Sequence, residues 1–174
     1  MLIRRETADD VAAIDDVHRR AFAATAPAGA EPVEVGLVRA LRADPGWVPA
    51  LSLVAEGDGG RVVGHVVATE GRVGDEHRAL GLGPIGVLPE VQRRGVGHAL
   101  MHAVLGAADA LGYPVVALLG HRGYYPRFGF VTASSIGIDP PDPAWGDHFQ
   151  ARPLPAHRPG VRGAFRYAAL FAEL

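Results

Sequence analysis

The sequence predicts a single mixed α/β (α+β) domain in which an antiparallel hairpin and a parallel crossover unit share one sheet flanked by helices. The chain has 174 residues, of which 48% are hydrophobic, and this is enough to bury one sizeable core. Two β-rich runs flank a Gly-Asp-Gly-Gly turn, and a strand, a helix and a second strand follow one another later in the chain. We therefore expect one domain over residues 1–174.

Two helices are predicted after a short first strand at residues 1–5. Thr7 can cap the first helix, since its hydroxyl suits a helix N-terminus and the acids that follow favour the positive end of the helix dipole. Apolar residues then recur at helical spacing as far as Phe22. A second amphipathic stretch covers residues 33–41, before a Pro-Gly pair ends it.

A β-hairpin is predicted next. Residues 51–56 and 61–70 are rich in β-forming side chains, and the glycines between them accept positive φ. Residues 71–77 are expected to be a polar loop. The apolar run 79–87 is a further strand, in which Pro84 implies a bulge or an interrupted ladder.

The clearest helix is predicted over residues 95–111, where apolar side chains share one face and Gly112 stops the segment. The short apolar strand 115–119 follows, so this strand should lie parallel to the one that precedes the helix. Beyond it, the Pro-rich residues 140–159 are expected to be a long irregular connection, and residues 163–171 a closing strand.

Composition and charge exclude several classes of protein. The formal charge of -2 and the pI near 6.4 lack the basic footprint of a nucleic-acid binder. The absence of cysteine excludes disulfides, thiolate metal sites and a cysteine nucleophile. Charges stand where a signal peptide needs its apolar region, and no run reaches the length of a membrane span. We therefore expect a cytoplasmic protein with no nucleic-acid or membrane partner.

The most informative segment is residues 87–100, Val-Leu-Pro-Glu-Val-Gln-Arg-Arg-Gly-Val-Gly-His-Ala-Leu. It is a turn that leads into a helix, and such a turn presents unpaired backbone N–H groups at the positive helix end, which together suit a pyrophosphate. Gly95 and Gly97 let phosphate oxygens approach closely, and Arg93 and Arg94 add positive charge. The segment is therefore predicted to bind an anion.

Two segments together resemble the GNAT acetyltransferase superfamily. The first matches the acetyl-CoA signature Gln/Arg-x-x-Gly-x-Gly/Ala with Gln92, Gly95 and Gly97. The second, Gly-His-Arg-Gly-Tyr-Tyr-Pro-Arg-Phe-Gly-Phe at residues 120–130, resembles the family's Phe/Tyr-Tyr-x-x-Leu/Phe-Gly-Phe element. They occur in the family's order and about thirty residues apart, and a coincidence of both is much rarer than of either alone.

The resemblance implies the GNAT fold, in which the central sheet splays open between two parallel strands and the pantetheine arm of acetyl-CoA inserts between them. It implies an N-acetyltransferase in which an amine attacks acetyl-CoA directly in a ternary complex. Tyr125 resembles the general acid that protonates the departing thiolate, and Tyr124 is expected to pack. The cofactor-binding residues that the resemblance implies are Val87, Leu88, Gln92, Arg93, Arg94, Gly95, Val96, Gly97, His98 and Ala99.

The sequence assigns no general base. Relatives that use a glutamate carry it at the position matched here by Gly81. The remaining candidates, each acting through water, are Glu70, Glu76, His77 and His121. Some members of the superfamily manage with ordered water and backbone carbonyls, and that alternative stays open here.

Two other motifs are rejected. Residues 81–86 spell the Gly-x-Gly-x-x-Gly of a dinucleotide site, but Pro84 interrupts the motif and no helix opens after it. His98 and His102 lie one helical turn apart, but Ala99 stands where a zinc protease has glutamate, so no metal is expected.

Alternatives remain for the function. The main rival is a non-catalytic acyl-CoA-binding or sensing module, and a further one is an acyltransferase with a longer acyl chain or an oxygen acceptor. The expected partner is a small-molecule or peptide amine, and a homodimer stays open.

Overall fold

The computed structural model describes residues 1–167, whose strands join into one mixed sheet. The strands are β1 (Leu2–Arg5), β2 (Trp47–Glu56), β3 (Val62–Val73), β4 (His77–Val87), β5 (Val115–Leu119), β6 (Val131–Thr132), β7 (Ile138–Asp139), β8 (Phe149–Pro153) and β9 (Gly163–Arg166). The helices are α1 (Val11–Ala21), α2 (Val33–Leu41) and α3 (Val96–Ala110). The main path of the sheet is β1-β2-β3-β4-β5-β8-β6, and β9 pairs with both β3 and β7.

Helices α1 and α3 pack on opposite faces of the β3–β4 hairpin. A methyl group at Gly64 would lie 3.0 Å from Leu100 and Val96 of α3, whereas one at Gly86 would lie against His18 of α1. His65, the neighbour of Gly64, pairs across the hairpin with Gly86, so it faces α1 as well. The hairpin therefore separates an α3 side from an α1 side.

The predicted parallel pair is confirmed, and it is short. Strand β4 pairs with β5 only at Leu80 with Val116 and Gly81 with Ala117, yet β4 continues to Val87. The far edge of β5 is covered by β8, which runs antiparallel to it over five residue pairs. The sheet consequently opens between β4 and β5 beyond these two pairs, as the GNAT resemblance implies.

The irregularity predicted at Pro84 is also confirmed. The register of the β3–β4 ladder shifts between Val66 and Ala68, opposite the Gly83-Pro84 dipeptide, whose peptide bond is cis. Proline lacks the N–H that a regular ladder needs, so the ladder is interrupted at that point.

Two predictions about connections are wrong. The polar loop expected over residues 71–77 shrinks to a three-residue turn, because β3 continues to Val73 and β4 begins at His77. The irregular connection expected over residues 140–159 contains the whole of β8. Its strand character comes from pairing with β5, a long-range contact that its short Pro-flanked sequence does not signal.

Most predicted elements lie where expected. Thr7 is the N-cap of a 3₁₀ turn, Ala8–Asp10, that leads into α1, and the Asp10 carboxylate accepts a hydrogen bond of 2.7 Å from the Thr7 N–H. The closing strand is β9, while residues 168–171 of that prediction lie outside the described residues. None of the helices in residues 1–167 combines the length and apolar character that a membrane crossing requires.

Candidate active site

A cleft of about 570 Å³ lies where β4 runs past the end of its pairing with β5. Its walls come from the end of α1, the last residues of β4, the loop before α3 and the segment around Tyr124. Residues 85–87 of β4 form the floor between the α1 side and the α3 side. The predicted anion-binding loop and the predicted Tyr-Tyr element therefore meet at one site.

The backbone conformation at the start of α3 explains why glycine stands at position 95 and how the loop turns sharply into the helix. Gly95 is the N-cap of α3 with a φ of 86°, a left-handed conformation that glycine adopts without strain. Arg93 has a φ of 60° and is the one non-glycine residue in residues 1–167 with positive φ, a strained geometry that concentrates at ligand sites. Ala99 donates to the Gly95 carbonyl at 3.0 Å, so the helical N–H groups ahead of it point outward, unpaired within the helix.

Gln92 and Glu90 hold this loop against the rest of the fold. The Gln92 Nε2 donates to the Val87 carbonyl at 3.1 Å and so ties the loop to the end of β4. The Glu90 carboxylate accepts hydrogen bonds from Arg20 at 2.9 Å and Arg61 at 3.1 Å. These ion pairs are exposed, so their contribution to stability is small.

The two tyrosines differ in position. Tyr124 lines the cleft, and its hydroxyl lies 3.1 Å from the point where a Cβ on residue 97 would stand, so glycine there leaves room for it. Tyr125 packs against Gly120 and is the more deeply buried of the two. Burial, with a smaller contribution from Tyr124, raises the pKa of Tyr125 to about 12. The phenol of Tyr125 is therefore protonated at neutral pH.

Not every predicted cofactor residue reaches the cleft with its side chain. Leu88 is buried in the core, and its N–H donates to the Val63 carbonyl at 2.9 Å. Arg94 and Val96 face a separate depression beside Val63, and Ala99 follows in the first turn of α3. The predicted residues that line the cleft are Val87, Gln92, Arg93, Gly95, Gly97 and His98.

None of the four base candidates lines the cleft. Glu70 accepts hydrogen bonds from Arg78 at 2.9 Å and Tyr113 at 2.8 Å, and Arg78 above all lowers its pKa. His77 is the first residue of β4 and Glu76 lies in the turn just before it, at the opposite end of the strand from the cleft. His121 is exposed and borders a different depression.

The space around Gly81 is taken by another side chain. A Cβ on Gly81 would lie 2.5 Å from the ring of Tyr167, which packs on this part of β4. A glutamate at position 81 therefore does not fit while Tyr167 keeps its place.

Two buried histidines below the cleft belong to no recognisable sequence motif. His18 of α1 and His65 of β3 are fully buried, and His18 Nε2 lies 2.8 Å from His65 Nδ1. They are 47 residues apart in the chain, so only the packing of α1 on the sheet brings them together. A lone histidine on the apolar face of α1 is the one signal that the sequence offers.

The two rejected motifs have structural explanations. Residues 81–86 lie inside β4 and not at a strand-to-helix turn. His98 and His102 pack on Phe128, with ring centroids 5.1 and 5.4 Å away. Within residues 1–167, no group of three or more His, Cys, Asp or Glu side chains is placed to hold a metal ion.

Comparison with known proteins identifies the family. The family model of the acetyltransferase (GNAT) domain matches residues 2–133. The chain belongs to the GNAT acetyltransferase family. Among curated proteins, this GNAT chain is 35% identical over 143 residues to the uncharacterized N-acetyltransferase YjhQ of Escherichia coli K12, covering 80% of this chain and 75% of that protein.

Two solved GNAT structures share the fold over nearly the whole chain. The YhbS N-acetyltransferase of Escherichia coli, in complex with CoA, has a TM-score of 0.86 at 30% identity, covering 98% of this chain and 91% of that one. A GNAT family acetyltransferase from Brucella melitensis, in complex with acetyl-CoA, has a TM-score of 0.78 at 34% identity, covering 98% and 97%. The mixed, splayed sheet described above is thus the GNAT fold.

Proposed function

We propose that this GNAT protein is an acetyl-CoA-dependent N-acetyltransferase whose acceptor is a small-molecule or peptide amine. The observation that carries the proposal is the cleft at the open end of β4, where the N-terminus of α3 and the Tyr124–Tyr125 segment meet. Its support from other proteins is that YhbS and the Brucella protein were crystallised with CoA and acetyl-CoA.

The cofactor is proposed to bind along the loop and the open edge of β4. Phosphates take the outward N–H groups at the start of α3, where the helix dipole and the guanidinium of Arg93 favour negative charge. The pantetheine arm pairs with the exposed part of β4 that ends at Val87, in place of a β5 that has already diverged. The thioester is then held near the floor of the cleft.

The proposed reaction is a direct transfer. The amine loses a proton, because an ammonium has no lone pair, and then attacks the thioester carbonyl. A backbone N–H near Val87 stabilises the oxyanion of the tetrahedral intermediate. Collapse breaks the C–S bond, and Tyr125, which keeps its proton at neutral pH, donates it to the departing thiolate.

The first test is a thermal melt of the purified protein with acetyl-CoA, with NAD as the control. Ligand at about a hundred times its dissociation constant adds roughly 2.7 kcal/mol to the free energy of unfolding. We expect a clear upward shift with acetyl-CoA and none with NAD. A panel of amines followed by thiol-release detection then identifies the acceptor class. No shift at saturating acetyl-CoA would refute the proposal.

A second candidate function is a non-catalytic acyl-CoA-binding module. The observation in its favour is that Tyr167 fills the space at Gly81 where relatives carry a catalytic glutamate. It predicts the same melt shift with acetyl-CoA but no CoA thiol release with any amine on the panel.

A further inference from the structure

A second depression borders the opening between β4 and β5 from the β5 side. The second of the two β4–β5 pairs joins Gly81 and Ala117, and Leu119 follows two residues later at the end of β5. The depression has a volume of about 400 Å³. Its described lining consists of Leu119, Gly120, His121, Ala144, Trp145 and His148. It therefore lies beside the gap in which the thioester is proposed to bind.

Tyr125 and this depression lie on opposite faces of β5. A Cβ on Gly120 would meet the Tyr125 ring and the Leu118 side chain, so Tyr125 lies on the Leu118 face of the strand. Successive strand residues point to opposite faces, so Leu119 points away from Tyr125, to the face of Ala117. A thioester held in the gap would therefore have the proposed proton donor on one face and the depression on the other.

Trp145 is held in place by an aromatic cluster on that second face. The centroid of its ring lies 6.0 Å from that of Phe149 and 6.2 Å from that of Tyr167. Tyr167 in turn packs beside Gly81 on β4. Trp145 is only half-buried, and its exposed part lines the depression. An indole fixed in this way offers a flat apolar surface and loses little side-chain entropy when a ligand binds.

The described walls of the depression carry no carboxylate. Within residues 1–167, no aspartate or glutamate lines it. The charged neighbours along the chain, Arg122 and Asp147, pair with each other at 3.2 Å. Leu119 is 47% exposed, so a large apolar side chain is in contact with water. An apolar group that covers it gains free energy, whereas a second ammonium group would lose water here without gaining a carboxylate.

We propose that this depression is the acceptor subsite and that Leu119 and Trp145 select an arylalkylamine, a primary amine that carries an aromatic ring and no second positive charge. The ring packs between Leu119 and the Trp145 indole, and the amine points into the gap between β4 and β5. The proposal rests on the acetyltransferase function proposed above and names its acceptor class.

The first test compares amines on the wild-type protein at saturating acetyl-CoA. We expect kcat/KM for 2-phenylethylamine to exceed that for 1,4-diaminobutane at least about tenfold, because burial of one apolar group discriminates between substrates by factors of this order. Ethylamine keeps the reacting amine without the ring and should also be at least about tenfold poorer. An equal or greater kcat/KM for either of these two amines would overturn the proposal.

A charge placed at Leu119 tests the selectivity at a single residue. Leu119→Glu adds a carboxylate to the subsite and leaves the aromatic side chains unchanged. We expect kcat/KM for 2-phenylethylamine to fall about tenfold or more, and that for 1,4-diaminobutane to rise up to about fivefold. Leu111→Glu is the matched control, since Leu111 is 45% exposed and lines a different depression. It should behave as wild type with both amines.

The direction of these two changes separates a selective subsite from a general loss of activity. In Leu119→Glu, KM for acetyl-CoA and the melt shift with acetyl-CoA should equal those of wild type. Equal changes for both amines, or no change for either, would overturn the subsite and leave the acetyltransferase function intact. A wild-type protein that releases no thiol with any amine would instead refute the proposed function.

A binding measurement without turnover locates the aromatic ring. The chain has two tryptophans, and the other one, Trp47, packs against the core at the start of β2. In the presence of CoA, 2-phenylethylamine should change the tryptophan fluorescence of wild type and leave that of Trp145→Phe unchanged. The variant keeps an aromatic ring beside Phe149 and Tyr167, and an unchanged melt shift with acetyl-CoA controls for its fold. A signal that persists in Trp145→Phe, or no signal in wild type, would overturn the proposal.

Discussion

The two faces of the β3–β4 hairpin meet at the same cleft but are built in different ways. On the α3 side, the proposed cofactor recognition rests on backbone N–H groups and glycines within residues 87–99, one continuous segment. On the α1 side, His18, His65, Ser52 and Glu6 come from four separate elements and are held by burial. The comparison shows that a proposed phosphate site can be encoded locally, whereas the buried chain of hydrogen bonds on the α1 side depends on tertiary packing.

Among the substitutions that test this comparison, the largest effect is expected from replacing Tyr125. Tyr125→Phe removes the proposed proton donor to the thiolate, so kcat should fall about 10²-fold or more. Tyr124→Phe is the matched control, since it deletes a hydroxyl from the neighbouring residue that lines the cleft. Steady-state kinetics by thiol release measure both. If Tyr124→Phe shows the larger deficit, the proton donor is Tyr124 and the motif-based assignment is wrong.

The contrast between the two faces also explains what can be predicted from the sequence. Helix α2 has the bounds that the sequence predicts, because apolar periodicity and the Pro-Gly stop are local signals. The loop at Gln92, Gly95 and Gly97 is recognisable for the same reason. Strand β8 is not, since its strand character depends on pairing with β5.

The candidate site likewise has one part that local sequence signals predict and another that depends on long-range packing. The glycine-rich loop before α3 requires specific residues at fixed spacing, so the family resemblance finds it. His18 and His65 are separated by 47 residues and escape prediction, because no spacing rule connects them. The sequence shows that position 81 has no carboxylate. It does not show that the Tyr167 ring occupies the space beside Gly81.

On the α3 side, the next effect concerns the helical glycines. Gly97→Val places methyl groups where the Tyr124 hydroxyl lies and where phosphate must approach, so acetyl-CoA should bind roughly 10- to 100-fold more weakly. Gly106→Val is the control on the same helix, since a side chain there meets open space. Isothermal titration with acetyl-CoA measures both. Equal affinities for the two variants would show that Gly97 does not border the phosphate site.

On the α1 side, a smaller effect is expected in the pH dependence of stability. Because the folded pKa of His18 is lowered to about 3, the unfolded chain binds more protons than the folded one between that value and about 6.5. The free energy of unfolding should therefore be unaffected by this group above about pH 6.5 and fall by up to about 1.4 kcal/mol per pH unit below it.

Urea unfolding of wild type and His18→Gln at several pH values measures that slope. The variant lacks the titrating group, so its stability should fall less steeply on acidification. Parallel slopes would mean that the folded pKa of His18 lies close to its unfolded value, and that burial does not lower it.

The smallest expected effect tests whether the loop is held by its own side chains or by the ligand. Gln92→Ala removes one exposed hydrogen bond to the Val87 carbonyl, worth about 1 kcal/mol, so acetyl-CoA affinity should fall about fivefold. Gln92→Glu also loses the donor and adds a negative charge beside the phosphates, so its affinity should fall further. Because the bond joins the loop to β4 without entering the core, the melting temperature without ligand should fall by no more than about 2 to 4 °C in either variant. A large loss of stability in Gln92→Ala would instead show that the α3 side, like the α1 side, depends on tertiary contacts for its fold.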